Sequence, residues 1–460
     1  VDGDTTVARA LRREEMCMPA SWRPDIVVEL FGEGSHFLQT ENIRLAGFEE
    51  LAEAFSCAGP KTIDVPADDS HAHNLTTSVV DVNHGQKSAN FFIMRFFLMR
   101  ASMSLADFDP ALIKRYDVPG PRYTSYPTAL QFGEFEVADF DKAIADSPYR
   151  DRDLSVYVHI PFCATLCYYC ACNKIVGKKR EPAAEYMTLL EREIEMLAPR
   201  FEGRQVSQLH WGGGTPTFLD DEQVTALNGW LRQAFSFSDD EAGEFSIEID
   251  PRTVNADRIR HLRHEGFNRL SFGVQDFESA VQKAVNRVQS LDETRDVIDA
   301  ARQAGFGSIS VDLIYGLPHQ TYETFSNTLK LISDLRPDRI SIYNYAHLPD
   351  RFSPQKRILA TDLPNPDEKL RILELCIDFL TDAGYVYIGM DHFALPEDEL
   401  AVALKEGTLQ RNFQGYSTYS DCDLLAMGVT GISHIGNSYS QNEKDLASYG
   451  ARIQQGELPL

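Results

Sequence analysis

Between residues 154 and 393 short apolar runs alternate in a regular way with longer segments whose apolar positions return every three or four residues. The short runs predict strands over 154–161, 207–211, 245–249, 269–274, 308–314, 339–345 and 385–390. The longer segments predict helices, such as 183–199, where Tyr186, Leu189, Leu190, Ile194 and Leu197 share one face. Six or more strand–helix units predict an α/β protein whose parallel sheet closes wholly or partly into a barrel, a partial (β/α)6 TIM-like architecture. Ligands of such barrels sit at the carboxyl ends of the strands.

The two ends of the chain read differently. Residues 1–102 show no sustained periodicity and include the turn-rich stretch 64–84, which predicts a disordered or dispensable leader. Regularity begins near Met103, so 103–150 is expected as an N-terminal tail and 151–383 as the barrel core. Residues 384–460 are expected to open a second, mostly helical domain that the chain leaves incomplete.

With 460 residues and 43% hydrophobic residues, the chain can bury a large core. Its net charge of -25 argues against duplex nucleic acid or an anionic membrane as the main partner, because phosphate binding runs on clustered Lys and Arg. The most apolar stretch, 91–99, is too short to span a bilayer and carries Arg95. A reducing, cytoplasmic location fits the eight scattered or clustered cysteines better than a secreted disulfide framework.

Four of those cysteines, Cys163, Cys167, Cys170 and Cys172, fall within ten residues, directly after the first strand. Three thiolates at i, i+4 and i+7 on a tight loop can each hold one iron of a cubane and leave the fourth iron open. Structural zinc more often takes two distant Cys pairs, and no second pair is present. Cys17, Cys57, Cys376 and Cys422 are expected to be inert.

Further candidates fall at the same end of the predicted barrel. After the second strand, Gly212, Gly213 and Gly214 remove every Cβ from a stretch of backbone, so that its amides can approach a ligand closely. The third strand ends in Glu248-Ile-Asp-Pro-Arg, where Glu248 could accept from hydroxyl groups such as those of a ribose. Gln275 and Asp312 occupy equivalent positions after the fourth and fifth strands, and Arg287 could clamp a carboxylate.

The cysteine loop, the Gly-Gly-Gly-Thr-Pro run and Glu248 resemble those of the radical S-adenosylmethionine enzymes. Within that group, Gly120-Pro-Arg-Tyr-Thr-Ser-Tyr-Pro-Thr, Cys167-Tyr-Tyr-Cys-Ala-Cys-Asn-Lys, Gln208-Leu-His-Trp-Gly-Gly-Gly-Thr-Pro-Thr and Gly389-Met-Asp-His-Phe resemble the oxygen-independent coproporphyrinogen III oxidases over about 103–460. The resemblance implies a 4Fe-4S cluster on Cys163, Cys167 and Cys170, with Cys172 outside the ligand set. It implies two molecules of S-adenosylmethionine. Tyr157, Gly213, Glu248 and Ile432 match contacts to the cluster-bound molecule, and Tyr169, Gly214, Thr215, Gln275, Arg287, Asp312 and Ala346 match those to the second. Tyr169 stands where the family often has Phe.

The implied reaction uses a 5′-deoxyadenosyl radical to decarboxylate two propionates of coproporphyrinogen III to vinyl groups, giving protoporphyrinogen IX. An electron donor of flavodoxin or ferredoxin type and a monomeric state are expected with it. Four propionates need cations, and Arg122, Lys174 and Arg411 are the candidates, with Tyr123 in the tail 123–128 beside them. The leader has no counterpart in the family, and the family runs on past position 460, so poor turnover is expected from this chain alone. The rival readings are a related haem chaperone, a haem-processing radical methyltransferase and a non-catalytic metal-binding scaffold. The Cys-Asn-Lys continuation and the Tyr-Thr-Ser-Tyr-Pro tail disfavour the first, and the tail also disfavours the second.

Overall fold

The computed structural model describes Ala111 and residues 131–412, 415–419 and 422–460. The expected leader 1–102 and the tail carrying Arg122 and Tyr123 lie outside them. Helix α1 (Val137–Asp146) leads into six strands, β1 (Leu154–Ile160), β2 (Gln205–Gly213), β3 (Glu244–Ile249), β4 (Arg269–Gln275), β5 (Ser308–Tyr315) and β6 (Arg339–Asn344). These pair in parallel in chain order. Helices α2 (Glu181–Leu197), α3 (Asp221–Ala234), α4 (Ala256–His264), α5 (Ser279–Ala284), α6 (Leu291–Ala304) and α7 (Tyr322–Leu335) connect them, and α8 (Pro366–Asp382) follows β6. The expected partial (β/α)6 barrel is therefore present, and every predicted strand lies within a few residues of an observed one.

Helix boundaries follow from local chemistry. Ser290 caps α6 by accepting from the Glu293 amide while the Glu293 carboxylate accepts from the Ser290 amide. Asp220 and Gln223 repeat this reciprocal arrangement at α3, which satisfies amide donors that the first turn of a helix leaves free.

The strands are two-faced. Leu209, Trp211, Phe245, Ile247, Phe272, Val311 and Ile342 are buried in one core with the helices. The alternating positions His210, Ser246, Glu248, Ser271, Asp312 and Tyr343 point the other way and are polar. Parallel strands covered on both faces usually read as continuous apolar runs. Here one face lines a chamber instead of a packed interior.

Residues 384–460 do not form the separate helical domain expected of them. Among them, β7 (Val386–Gly389), β8 (His392–Ala394), α9 (Glu399–Glu406), β9 (Asp423–Met427), β10 (Ile432–Ile435), β11 (Ser438–Gln441) and α10 (Leu446–Gln455) follow in order. Strand β8 pairs antiparallel with β6, and β9 pairs in parallel with β1, so the segment extends both edges of the barrel sheet. The reason is burial: all five residues of β9 are buried, and they cover an edge of β1 whose backbone groups would otherwise lack partners. Asp423 fastens this junction by accepting from the Arg204 guanidinium at 2.7 Å, the Gly436 amide at 2.7 Å and the Ser147 hydroxyl. No described helix is long and apolar enough to cross a membrane.

The predicted apolar face of α2 is borne out at Tyr186, Leu190, Ile194 and Leu197, but it also carries Glu193, 1% exposed. A buried carboxyl without partners would cost several kcal/mol. Glu193 has three: the Gly428 amide at 2.8 Å, the Asn442 side chain at 2.7 Å and the Tyr449 hydroxyl at 2.7 Å. It thereby pins the turn after β9 and helix α10 to the barrel wall.

Burial pushes the Glu193 carboxyl up to about 7, against the pull of those three hydrogen bonds. A carboxyl raised on folding binds a proton that the unfolded chain has already released. Its contribution to stability is complete below the ordinary pKa of 4.5 and is lost as pH rises through 7. Chemical denaturation between pH 4.5 and 7.5 should therefore show a fall in stability, on the order of 3 kcal/mol, that Glu193→Gln removes. Identical slopes for both proteins would contradict this.

Candidate active site

The cysteine loop leaves β1 at its carboxyl end and is tied down along its length. Phe162–Cys163 pairs with Ile175–Val176, the Ile175 amide donates to the Pro161 carbonyl, and the Gly177 amide donates to the Cys163 carbonyl. From α5 and the residues after it, the Val285 carbonyl accepts from the Tyr168 amide, and the Asn286 side chain donates to the Leu166 carbonyl at 2.7 Å. Cys163 and Cys167 are buried, Cys170 is half-buried and Cys172 is exposed. Lys174, expected as a propionate cation, donates to the Cys170 and Cys172 carbonyls at 3.0 and 3.2 Å and so closes the loop.

The thiols are not equivalent. Burial pushes Cys163 up to about 11, although the Thr215 hydroxyl donates to its sulfur at 3.6 Å. A hydrogen bond from Cys172 and the charge of Lys174 bring Cys170 down to about 6, and Cys172 itself is raised by the same contact. Among the described residues no three His, Cys, Asp or Glu side chains stand close enough to share one metal ion. A cubane takes one thiolate per iron, so its ligands stand farther apart.

The glycine run is built for close approach. In β2, Gly213 pairs with Ile160, and the Gly214 amide donates to the Ile160 carbonyl at 2.9 Å. A Cβ on Gly214 would lie 2.9 Å from the Phe162 carbonyl oxygen and 3.0 Å from the Cys163 sulfur. Gly213 has φ +117°, and a Cβ there would lie 2.7 Å from the His159 ring. Glu248 accepts from the Gly213 amide at 3.1 Å and lies 3.4 Å from His210 Nε2. The Tyr157 ring stacks on His210, with centroids 5.8 Å apart.

Burial keeps His159 neutral, and its neighbours decide the tautomer. Its Nε2 faces the Asn173 carbonyl at 3.3 Å, so that nitrogen carries the proton, and Nδ1 accepts from the Tyr157 hydroxyl at 3.0 Å.

On the far side of the loop lie the other candidates. Gln275 has φ 73°, and its buried Oε1 has no partner among the described residues. An L-residue held in the left-handed region beside an orphaned acceptor marks a site shaped for a ligand. Asp312 accepts from the Ser271 hydroxyl at 3.1 Å, and burial followed by the charge of Glu248 pushes its carboxyl up to about 6. Arg287 is buried and donates to Asp250 at 3.1 Å and to the Cys167 sulfur at 3.5 Å. Tyr169 packs with Val281, Val285, Leu317, Tyr345 and Ile358. Ile432 opens β10, just beyond the turn that Glu193 holds, and Ala346 is exposed.

Sequence reading missed several polar groups here. Arg252, which pairs with Asp250, was visible only as part of a charged strand end. His159 and His210 could have been found from the alternation of polar positions along β1 and β2. Glu193 offered no such signal, since its partners are distant in sequence.

The donor set fits an iron–sulfur cluster with a polar organic cofactor beside it. Three thiols share one anchored loop, and glycine backbone lies against one of them. Residues 157–332 match the family model described as Radical SAM superfamily. The oxygen-independent coproporphyrinogen III oxidase of Escherichia coli is 54% identical over 355 residues, 77% of this chain and 77% of that protein. Its counterpart in Synechocystis is 45% identical over 364 residues, covering 79% and 78%. A solved structure of coproporphyrinogen III oxidase from Escherichia coli, described as a radical SAM enzyme, superposes with TM-score 0.72 at 53% identity, over 76% of this chain and 79% of that one. With identity this high over three quarters of both proteins, the chain belongs to the oxygen-independent coproporphyrinogen III oxidase family of radical SAM enzymes.

Proposed function

We propose that this chain decarboxylates two propionate side chains of coproporphyrinogen III to vinyl groups without oxygen, giving protoporphyrinogen IX. Each conversion removes one β-hydrogen atom, carbon dioxide and one electron. The observation that carries this reading is the anchored Cys163, Cys167, Cys170 loop lying against Gly214 at the mouth of a polar chamber. When bound, a reduced 4Fe-4S cluster and S-adenosylmethionine supply a carbon radical strong enough to take hydrogen from an unactivated carbon.

In this reading the chain's own residues bind and orient. Cys163, Cys167 and Cys170 hold the cluster. Tyr157, Gly213, Glu248 and Ile432 seat the S-adenosylmethionine that reacts. Tyr169, Gly214, Thr215, Gln275, Arg287, Asp312 and Ala346 seat a second molecule. The lone acceptor of Gln275 and the strained backbone that aims it support this second seat. An electron donor of flavodoxin or ferredoxin type would reduce the cluster. Arg411 is the cation best placed to meet a propionate: its Nε and Nη1 are buried without partners among the described residues, and it lies 4.7 Å over the Tyr416 ring.

Anaerobic reconstitution tests the ligand set. Cys163→Ser, Cys167→Ser and Cys170→Ser should each abolish a cluster of about four irons, whereas Cys172→Ser should keep it. Equal loss in all four would contradict the assignment. Gly214→Ala forces a Cβ against the Phe162 carbonyl and the Cys163 sulfur, so iron content and the unfolding midpoint should both fall; full iron loading would rule out the cradle. Arg411→Met should raise KM for coproporphyrinogen III at least tenfold, about 1.4 kcal/mol of binding, with cluster content unchanged. An unaltered KM would remove Arg411 from the substrate site.

A further inference from the structure

One of the three candidate cluster sulfurs, that of Cys167, receives two guanidinium groups. Asp250 follows β3 and is 9% exposed, and both of its carboxylate oxygens are in use. Oδ1 accepts from the Arg252 amide at 3.1 Å and from Arg252 Nε at 2.9 Å. Oδ2 accepts from Arg252 Nη2 at 2.6 Å and from Arg287 Nη1 at 3.1 Å. The same Arg252 Nη2 reaches the Cys167 sulfur at 3.9 Å, and the same Arg287 Nη1 reaches it at 3.5 Å. The Arg287 guanidinium is fixed further by donating to the Gly273 carbonyl. Two cations against one carboxylate leave one net positive charge on Cys167. Cys163, by contrast, meets a neutral hydroxyl.

This arrangement costs too much to be incidental packing. Arg287 and Asp250 side chains are 8% and 10% exposed, and charges removed from water to that degree are kept only where geometry and hydrogen bonds offset the desolvation. Asp250 satisfies the demand. Burial alone would raise its carboxyl, yet the Arg287 and Arg252 cations hold it below the ordinary range, so it stays ionised and keeps both guanidinium groups aimed at the sulfur. Hydrogen bonds and positive charge at a cluster sulfur favour the form carrying more electrons.

We propose that Arg252, oriented by Asp250 and acting beside Arg287, is a positioning residue that raises the reduction potential of the cluster through the Cys167 sulfur. The proposal rests on the reading that Cys163, Cys167 and Cys170 hold a 4Fe-4S cluster. The step it eases is the entry of one electron from a low-potential one-electron donor protein, with no atom or proton transferred. Arg287 belongs to the proposed cofactor seat, so Arg252 is the residue that isolates the effect.

The test is a redox titration of the anaerobically reconstituted full chain, followed by electron paramagnetic resonance without S-adenosylmethionine. Arg252→Gln should lower the reduced-to-oxidised ratio at a fixed potential about tenfold, equivalent to a shift of ~59 mV for one electron. Arg252→Lys, which keeps the charge, should recover most of that ratio. Asp250→Asn, which removes the negative charge but keeps an oxygen acceptor for the Arg252 amide and Nε, should move the midpoint the opposite way, and general loosening of the site cannot produce shifts of opposite sign. If Arg252→Gln does not load four irons, the Asp250→Asn midpoint decides, with a rise supporting the proposal and no rise overturning it. An unchanged midpoint in fully loaded Arg252→Gln overturns the proposal alone. Failure of the parent chain to take up a four-iron cluster overturns the ligand reading and the proposal with it.

Discussion

The parallel register between β1 and β2 is the constraint from which the chamber follows. Ile160 stands opposite Gly213, and the Gly214 amide continues the ladder onto the Ile160 carbonyl. That one alignment sets glycine backbone against the Cys163 sulfur and Tyr157 beside His210. A slip of one residue would move the glycines about 3.3 Å along the strand and turn Trp211 into the lumen in place of His210. The burial of Trp211 against Phe267, with ring centroids 5.1 Å apart, works against such a slip. The outer core therefore sets the inner chemistry. Apolar packing fixes the register, and the register fixes which polar groups meet.

The polar inner face also explains why so much hydrogen bonding is concentrated in it. His210 meets Ser246 and Glu248, and Ser271 meets Asp312, each across neighbouring strands. Lateral pairing lets the sheet carry a polar face without leaving its groups bare. Among the described residues it leaves one exception at the end of β4, the buried Gln275 Oε1.

Much of this was legible beforehand. The order of strands and helices from 154 to 393 follows from periodicity, and the cysteine spacing with the glycine run placed the candidate chemistry at the right end of the barrel. Three things were not legible. The fate of 384–460 was decided by burial of β9 against an edge of β1 far away in sequence, which local pattern does not encode. Glu193 reads as an ordinary charged position on a helix until Asn442 and Tyr449 are brought to it. Lys174, judged by charge alone, looked free for substrate, whereas the turn it closes lies within four residues of it.

The anchoring of the cysteine loop carries a consequence for the life of the protein in a cell. Its fastenings come from the residues after β1, from the end of α5 and from the glycine run, so the loop that would hold a cluster joins segments more than a hundred residues apart in sequence. A group that binds the folded chain and not the unfolded one enters the folding equilibrium itself, adding about 2.7 kcal/mol at a hundredfold excess over its dissociation constant. Iron and sulfide supply would then govern how long the protein survives proteolysis as well as whether it turns over.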